Sequence, residues 1–329
     1  MPLDRRRFLV LSAGSAASVG VTTLSAGAAV AAEAAVRPVA PGAQAPPQAP
    51  AAPAAQGIFT PLRRNVGCFS LRGGTAGFLV NEDAVAVVDS QFPDSAQVLV
   101  AGLSERSGAR PVDVLVNTHH HGDHTGGNGV LRGVTRAMVA HAMAVEHLRN
   151  PPAGTPAEAD FIPEVTFTDR WSTALGDERI TARHYGRAHT SGDAVVTFEE
   201  ANVAHMGDLM FHRRHPVVDR AAGATLRGWI EVLERTVAEH ARDTLYVFGH
   251  AGAGLPVTGT FTDLLRFRDY LDAVLARVGA EIQAGGSREA FLVPGPPLEG
   301  FEDFGPFGQT GAREVRTCAW EELAEGRQG

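Results

Sequence analysis

The chain has 329 residues, 44% of them hydrophobic, which suffices for one large domain or two modest ones. Its formal charge is −8; with Arg5, Arg6, Arg7, Arg37, Asp4 and Glu33 set aside in residues 1–56, the remainder carries −10, and no lysine occurs anywhere. An acidic body without a basic run repels phosphate backbones, which excludes nucleic acid as the expected partner, and Cys68 and Cys318 have no CxxC spacing or clustered partner, which excludes a zinc knuckle or dithiol motif.

The two cysteines read as unpaired core thiols, with a single disulfide as the alternative in an oxidising compartment. At the N-terminus, Asp4-Arg5-Arg6-Arg7-Phe8-Leu9 precedes a weakly apolar stretch with Ala26, Ala28, Ala29 and Ala31 at A-x-A spacings. The block resembles a twin-arginine export signal over residues 1–36, with a membrane anchor as the alternative. The resemblance implies an exported, periplasmic or secreted protein that touches the membrane only through its signal. Residues 37–56, rich in Pro and Ala and almost uncharged, read as a semi-extended linker. A single domain over 57–329 is expected to follow.

Within that domain, Gly77–Asn81 and Ala84–Val88 form a predicted hairpin around Glu82-Asp83. Ser95–Leu103 has helical spacing, with Ser95 as its cap. Val112–Val116 is a buried-type strand running into a histidine cluster. Ile180–His184, Ala194–Phe198, Val203–Met206 and Leu245–Phe248 are further strands. Thr225–Ala238 is a helix with Leu226, Ile230, Leu233 and Val237 on one face, and Leu264–Ile282 is a long helix.

The segment Asn117-Thr118-His119-His120-His121-Gly122-Asp123-His124-Thr125-Gly126-Gly127-Asn128 places potential ligands in the order His-x-His-x-Asp-His. A glycine-bearing loop leaving a strand can fan such side chains around a small volume. Imidazole and carboxylate suit zinc and its neighbours better than calcium or magnesium. Crowded imidazoles without a metal would cost desolvation and repulsion.

This segment resembles the signature of the metallo-β-lactamase-fold hydrolases, and further motifs of that family follow in order. Gly186-Arg187-Ala188-His189-Thr190-Ser191-Gly192-Asp193 resembles the loop of the third histidine, Met206-Gly207-Asp208 the bridging aspartate, and Phe248-Gly249-His250 the last histidine. Val87-Val88-Asp89 resembles the strand whose aspartate lies behind the site. The resemblance spans about residues 66 to 252. It implies a mixed α/β, four-layer αβ/βα sandwich. It implies a first metal on His119, His121 and His189, and a second on Asp123, His124 and His250, with Asp208 bridging. Two divalent ions, zinc first and iron or manganese as alternatives, would share a hydroxide nucleophile, with Asp123 and Asp208 serving catalysis. Asp89 would steer a ligand histidine from behind.

His120 occupies a variable position and is expected to point away. His184 and His205 read as structural, and His141, His147 and His240 carry no functional expectation. His212, Arg213, Arg214 and His215 follow Asp208 in a loop that could contact an anionic substrate or simply be solvated.

The expected reaction is hydrolysis of an ester, thioester, lactone or amide-type carbonyl in a small molecule. A β-lactamase activity is an alternative, although Asp208 stands where one lactamase subclass has cysteine, and the bridging aspartate is missing from the others. Glutathione thioesterases share that aspartate but typically carry histidine where this chain has Asp193. A mono-iron persulfide dioxygenase and a non-catalytic metal-binding protein are the remaining alternatives.

Overall fold

The computed structural model describes residues 56–151, 161–293 and 296–325. The expected export signal, and the linker up to residue 55, lie outside the described residues.

Strands β1 (Ile58–Pro61), β2 (Val66–Ser70), β3 (Ala76–Val80) and β4 (Val85–Val88) run antiparallel in chain order. The predicted hairpin is β3–β4, with Val80 opposite Val85. Its turn is set by Asn81, whose Oδ1 accepts the N–H groups of Asp83 and Ala84 at 3.1 and 2.7 Å. Helix α1 (Pro93–Ser107) then crosses to β5 (Val112–Asn117), which pairs parallel to β4. The predicted cap is corrected here: Phe92 is the N-cap and Pro93 opens the helix, a position that suits a residue with no N–H to satisfy. Ser95 instead bonds Arg72, accepting its N–H at 3.2 Å and donating to its carbonyl at 3.0 Å.

Short helices α2 (Gly122–Thr125) and α3 (Asn128–Arg132) lead to β6 (Thr135–His141), helix α4 (Ala142–Arg149) and β7 (Val165–Phe167). Strands β1 to β7 make one seven-stranded sheet, parallel from β4 onward. All four residues of β4 are buried, as expected of a strand covered on both faces.

The second sheet has the order β15-β13-β11-β10-β9-β8. It is built from β8 (Arg170–Leu175), β9 (Glu178–Arg183), β10 (Val195–Phe198), β11 (Val203–His205), β13 (Leu245–Val247) and β15 (Thr258–Gly259). Between them lie β12 (Phe211–His212) and β14 (His250–Ala251), a two-stranded parallel pair, and helix α5 (Leu226–Glu239). Helices α6 (Phe261–Gln283), α7 (Arg288–Phe291) and α8 (Ala312–Glu325) complete the described chain. The long predicted helix is α6; it starts earlier than its apolar periodicity because Thr260 and Asp263 close a capping box.

Three apolar layers separate these elements. Phe69, Phe78 and Leu115 pack the outer face of the first sheet against Leu99 and Leu103 of α1. Val88, Val116 and Val139 meet Ile180, Val196 and Val203 between the sheets. Tyr246 and Ala204 pack outward on α5 and α6 through Trp229, Leu233, Phe267 and Leu271. The result is the four-layer αβ/βα sandwich expected from the sequence.

Candidate metal centre

The expected ligands lie on the segments that follow strands β5, β9, β11 and β13. His119 and His121 leave β5, with His121 serving as the N-cap residue of α2, which carries Asp123 and His124. His189 lies on the loop between β9 and β10, Asp208 in a 3₁₀ turn, Gly207–Leu209, after β11, and His250 on β14. The loop after β5 is held by a buried amide pair. Asn128 Nδ2 donates to Asn117 Oδ1 at 2.8 Å, and Ser90 Oγ donates to Asn128 Oδ1 at 2.8 Å.

Two clusters result, sharing Asp208: His119, His121, His189 and Asp208, then Asp123, His124, His250 and Asp208. Within each, the candidate ligand atoms lie within 4.8 Å of one another. In the first, His189 Nε2 is 2.9 Å from His121 Nδ1 and 3.6 Å from Asp208 Oδ2, which is 3.9 Å from His119 Nε2. In the second, Asp208 Oδ1 is 2.9 Å from His124 Nε2 and 3.3 Å from His250 Nε2, which lies 3.1 Å from Asp123 Oδ2.

Acceptors behind the rings fix which nitrogen faces inward. His189 Nδ1 donates to the Val217 carbonyl at 2.8 Å, leaving Nε2 free for the cluster. His121 Nε2 donates to Asp219 Oδ2 at 2.9 Å, leaving Nδ1. His124 Nδ1 donates to Asp89 Oδ2 at 2.7 Å, leaving Nε2. Asp89 is wholly buried and also accepts the Thr118 N–H and hydroxyl, each at 2.7 Å. Its backbone stands at φ 61°, a conformation that costs a non-glycine residue energy and persists only where surroundings impose it. With the Thr118 proton directed to Asp89, His119 Nδ1 donates to the Thr118 oxygen at 3.1 Å, turning Nε2 to the cluster.

The charges divide between the clusters. Burial, with His124 nearby, holds His119 well below its ordinary pKa, and burial with His121 brings His189 down to about 4. Burial also opposes charge on His124 and His250, but Asp208, Asp89 and Asp123 outweigh it at His124. Asp208 and Asp123 do so at His250, which rises to about 9. Burial disfavours the Asp208 carboxylate, yet His250 and His124 hold it well below the usual range.

The donor set fits metal ions. His119 Nε2, His124 Nε2, His250 Nε2 and Asp208 Oδ1 are buried without an aligned hydrogen-bond partner, an arrangement that is costly unless something else is coordinated. Imidazole nitrogens with carboxylate oxygens match zinc and comparable transition metals. Space is reserved around these atoms: a Cβ at Gly249 would stand 2.1 Å from Asp208 Oδ1, and one at Gly74 would stand 2.1 Å from the His124 ring.

Asp219, Thr118, Gly74 and Gly249 were not singled out as site residues from sequence. Gly249 belongs to the Phe248-Gly249-His250 motif, but only the fold shows what its missing side chain avoids. Asp219 also lies 3.7 Å from His120 Nε2, and His120, His121 and Asp219 form a third group with ligand-type atoms together. His120 belongs to neither main cluster; its ring packs on His121 and His147, with centroids 4.6 and 4.7 Å apart. His205 is a satisfied core residue, facing the Thr75 carbonyl at 3.0 Å through Nε2 and accepting the Gly207 N–H at 3.1 Å. His184 stacks on His141, centroids 4.0 Å apart, and bonds the Asp193 carbonyl. Asp193 accepts the Thr190 N–H and hydroxyl at 2.8 and 2.7 Å, bracing the His189 loop. The loop after Asp208 is engaged with the C-terminal segment. Arg213 pairs with Asp303 at 3.2 Å, Arg214 donates to the Pro306 carbonyl, and His215 Nδ1 meets the Tyr270 hydroxyl at 2.7 Å. Cys68 and Cys318 are both free.

Residues 70–251 match the family model of the metallo-beta-lactamase superfamily. A hydroxyacylglutathione hydrolase from Cereibacter sphaeroides is 35% identical over 136 residues, covering 40% of this chain. The match spans only 47% of that relative's own length. A solved metallo-beta-lactamase from Pontibacter korlensis shares the fold with a TM-score of 0.56 and 19% identity, over 66% of this chain and 99% of the other.

Proposed function

The chain belongs to the metallo-beta-lactamase superfamily, and on that footing we propose that it is a dinuclear metal hydrolase, zinc-loaded, cleaving a carbonyl ester, thioester, lactone or amide of a small molecule. The observation that carries this reading is the pair of ligand clusters joined at Asp208, in which His119 Nε2, His124 Nε2, His250 Nε2 and Asp208 Oδ1 are buried without an aligned partner. His119, His121 and His189 would hold one ion, and Asp123, His124 and His250 the other, with Asp208 between them. Bound there, the ions would lower the pKa of a water and polarise the substrate carbonyl.

The remaining work falls to the chain. Asp89 and Asp219 fix the rings of His124 and His121, and so the direction of their lone pairs. Asp123 is the more open carboxylate, with 24% of its side chain exposed against 4% for Asp208. It is therefore the group that can orient an attacking water. Asp208, shut in between His124 and His250, holds the clusters in register.

Thioester cleavage is supported by the hydroxyacylglutathione hydrolase relative. Asp193 departs from the histidine typical of such enzymes, and here it serves as a loop brace, so the general hydrolase reading is the one we adopt. We also propose export by the twin-arginine route, on the strength of Arg5-Arg6-Arg7-Phe8-Leu9. Metal analysis joined to an ester, thioester, lactone and lactam screen tests the enzyme reading. Two zinc ions per chain with cleavage of at least one class is the expected result. One iron with oxygen uptake on a persulfide, or two metals with no cleavage, would overturn it.

A further inference from the structure

We infer that the C-terminal stretch 298–310 forms one wall of the reaction site, and that Phe307 selects substrates with an apolar group beside their carbonyl. What is bound there rests on the hydrolase reading; where it is bound rests on geometry. The Phe307 ring lies 4.3 Å, centroid to centroid, from His250 and 5.3 Å from Phe211, which itself stacks on His250 at 5.3 Å. Phe211 is fully buried and Phe307 only partly so, which makes Phe307 the aromatic ring that an incoming molecule meets.

The stretch is firmly fixed. Phe304 stacks on Tyr270 of α6 with centroids 4.2 Å apart and 9° between planes. The Gly305 carbonyl accepts the His215 N–H at 2.8 Å, and the Gly305 N–H donates to the Arg213 carbonyl at 3.1 Å. Phe307 and Thr310 exchange backbone hydrogen bonds of 2.9 and 2.8 Å, closing the turn that presents the ring. The side chains of Arg213, Arg214 and His215 add their bonds to Asp303, Pro306 and Tyr270. Wall and ligands thus share one support, since this anchoring loop follows directly from the Asp208 turn.

A held aromatic ring binds an apolar group at little ordering cost and gains by removing both surfaces from water. The wall lies beyond residue 251, where the region matched to the family ends. The selectivity is therefore supplied by this chain's own C-terminal stretch.

The test uses the full chain loaded with zinc. The ratio of kcat/KM for 4-nitrophenyl hexanoate over 4-nitrophenyl acetate is measured, and calorimetry compares binding of the hexanoate and acetate anions. Phe307→Ala should lower both preferences for the longer chain by about tenfold, the scale of discrimination an apolar pocket supplies, and Phe307→Leu should restore most of it. An unchanged preference would overturn the wall. So would an equal fall for both chains with loss of zinc, because Phe307 would then only shield His250. If the wild type cleaves no ester, thioester, lactone or lactam, the hydrolase reading fails by itself. The calorimetric preference and its loss in Phe307→Ala still decide the wall.

Discussion

The two ligand clusters meet at one aspartate but are built from opposite electrostatics. Around His119 and His189, burial dominates and the rings are driven toward neutrality. Around His124 and His250, three carboxylates (Asp89, Asp123 and Asp208) press on two imidazoles, and charge outweighs burial. The first cluster therefore offers a cation mostly neutral nitrogens aimed by their outer partners. The second offers concentrated negative charge. Orientation should therefore matter most for the first cluster and charge for the second.

Asp208 is common to both, so its removal should have the largest effect. Asp208→Ala is expected to lower kcat/KM by more than the roughly 100-fold seen when an outer partner is lost, and to bring zinc content below two per chain. Two zinc ions still tightly held by that variant would break the picture of a shared ligand. Next in size, Asp89→Asn should weaken metal binding by about 10- to 100-fold, and chelator competition should place most of the loss in the second cluster. Asp219→Asn should weaken the first cluster by about tenfold, through His121. If both variants weakened both clusters equally, the proposed division would be wrong. The smallest effect concerns the thiols: burial raises Cys68 and Cys318 to about 11. Since only the thiolate reacts, roughly a thousandth of each would be reactive at pH 8. Thiol titration of the native protein should proceed slowly at that pH and complete rapidly once the protein is unfolded; prompt native labelling would contradict the burial.

Much of the centre was legible because its ligands are polar residues placed where strands end, a pattern that packing alone does not produce. Asp89 was visible for the same reason, at the end of a run of buried valines. Asp219 was not: it sits in the irregular loop between β12 and α5, 98 positions from the His121 it supports. Ser95 looked like a helix cap by type, but Pro93 moved the helix start and Arg72, brought near only by the fold, took its hydroxyl. Strands β1, β2, β6, β7 and β8 went unread because their apolar patterns are short or broken, and neighbouring strands complete their pairing.

By itself, the sequence determined the order of the chemistry: His-x-His-x-Asp-His after a buried strand, then His189, Asp208 and His250, on a chain whose apolar periods call for sheets flanked by helices. Local spacing and residue type carry that much, since ligand chemistry and side-chain periodicity are properties of short segments. The tertiary structure alone decided that Asp219 backs His121. It also decided that Gly74 and Gly249 leave room for the ligands, and that Phe307 lies against His250. Those are contacts between segments far apart in the chain, and only the packing of the two sheets and their helices brings them together.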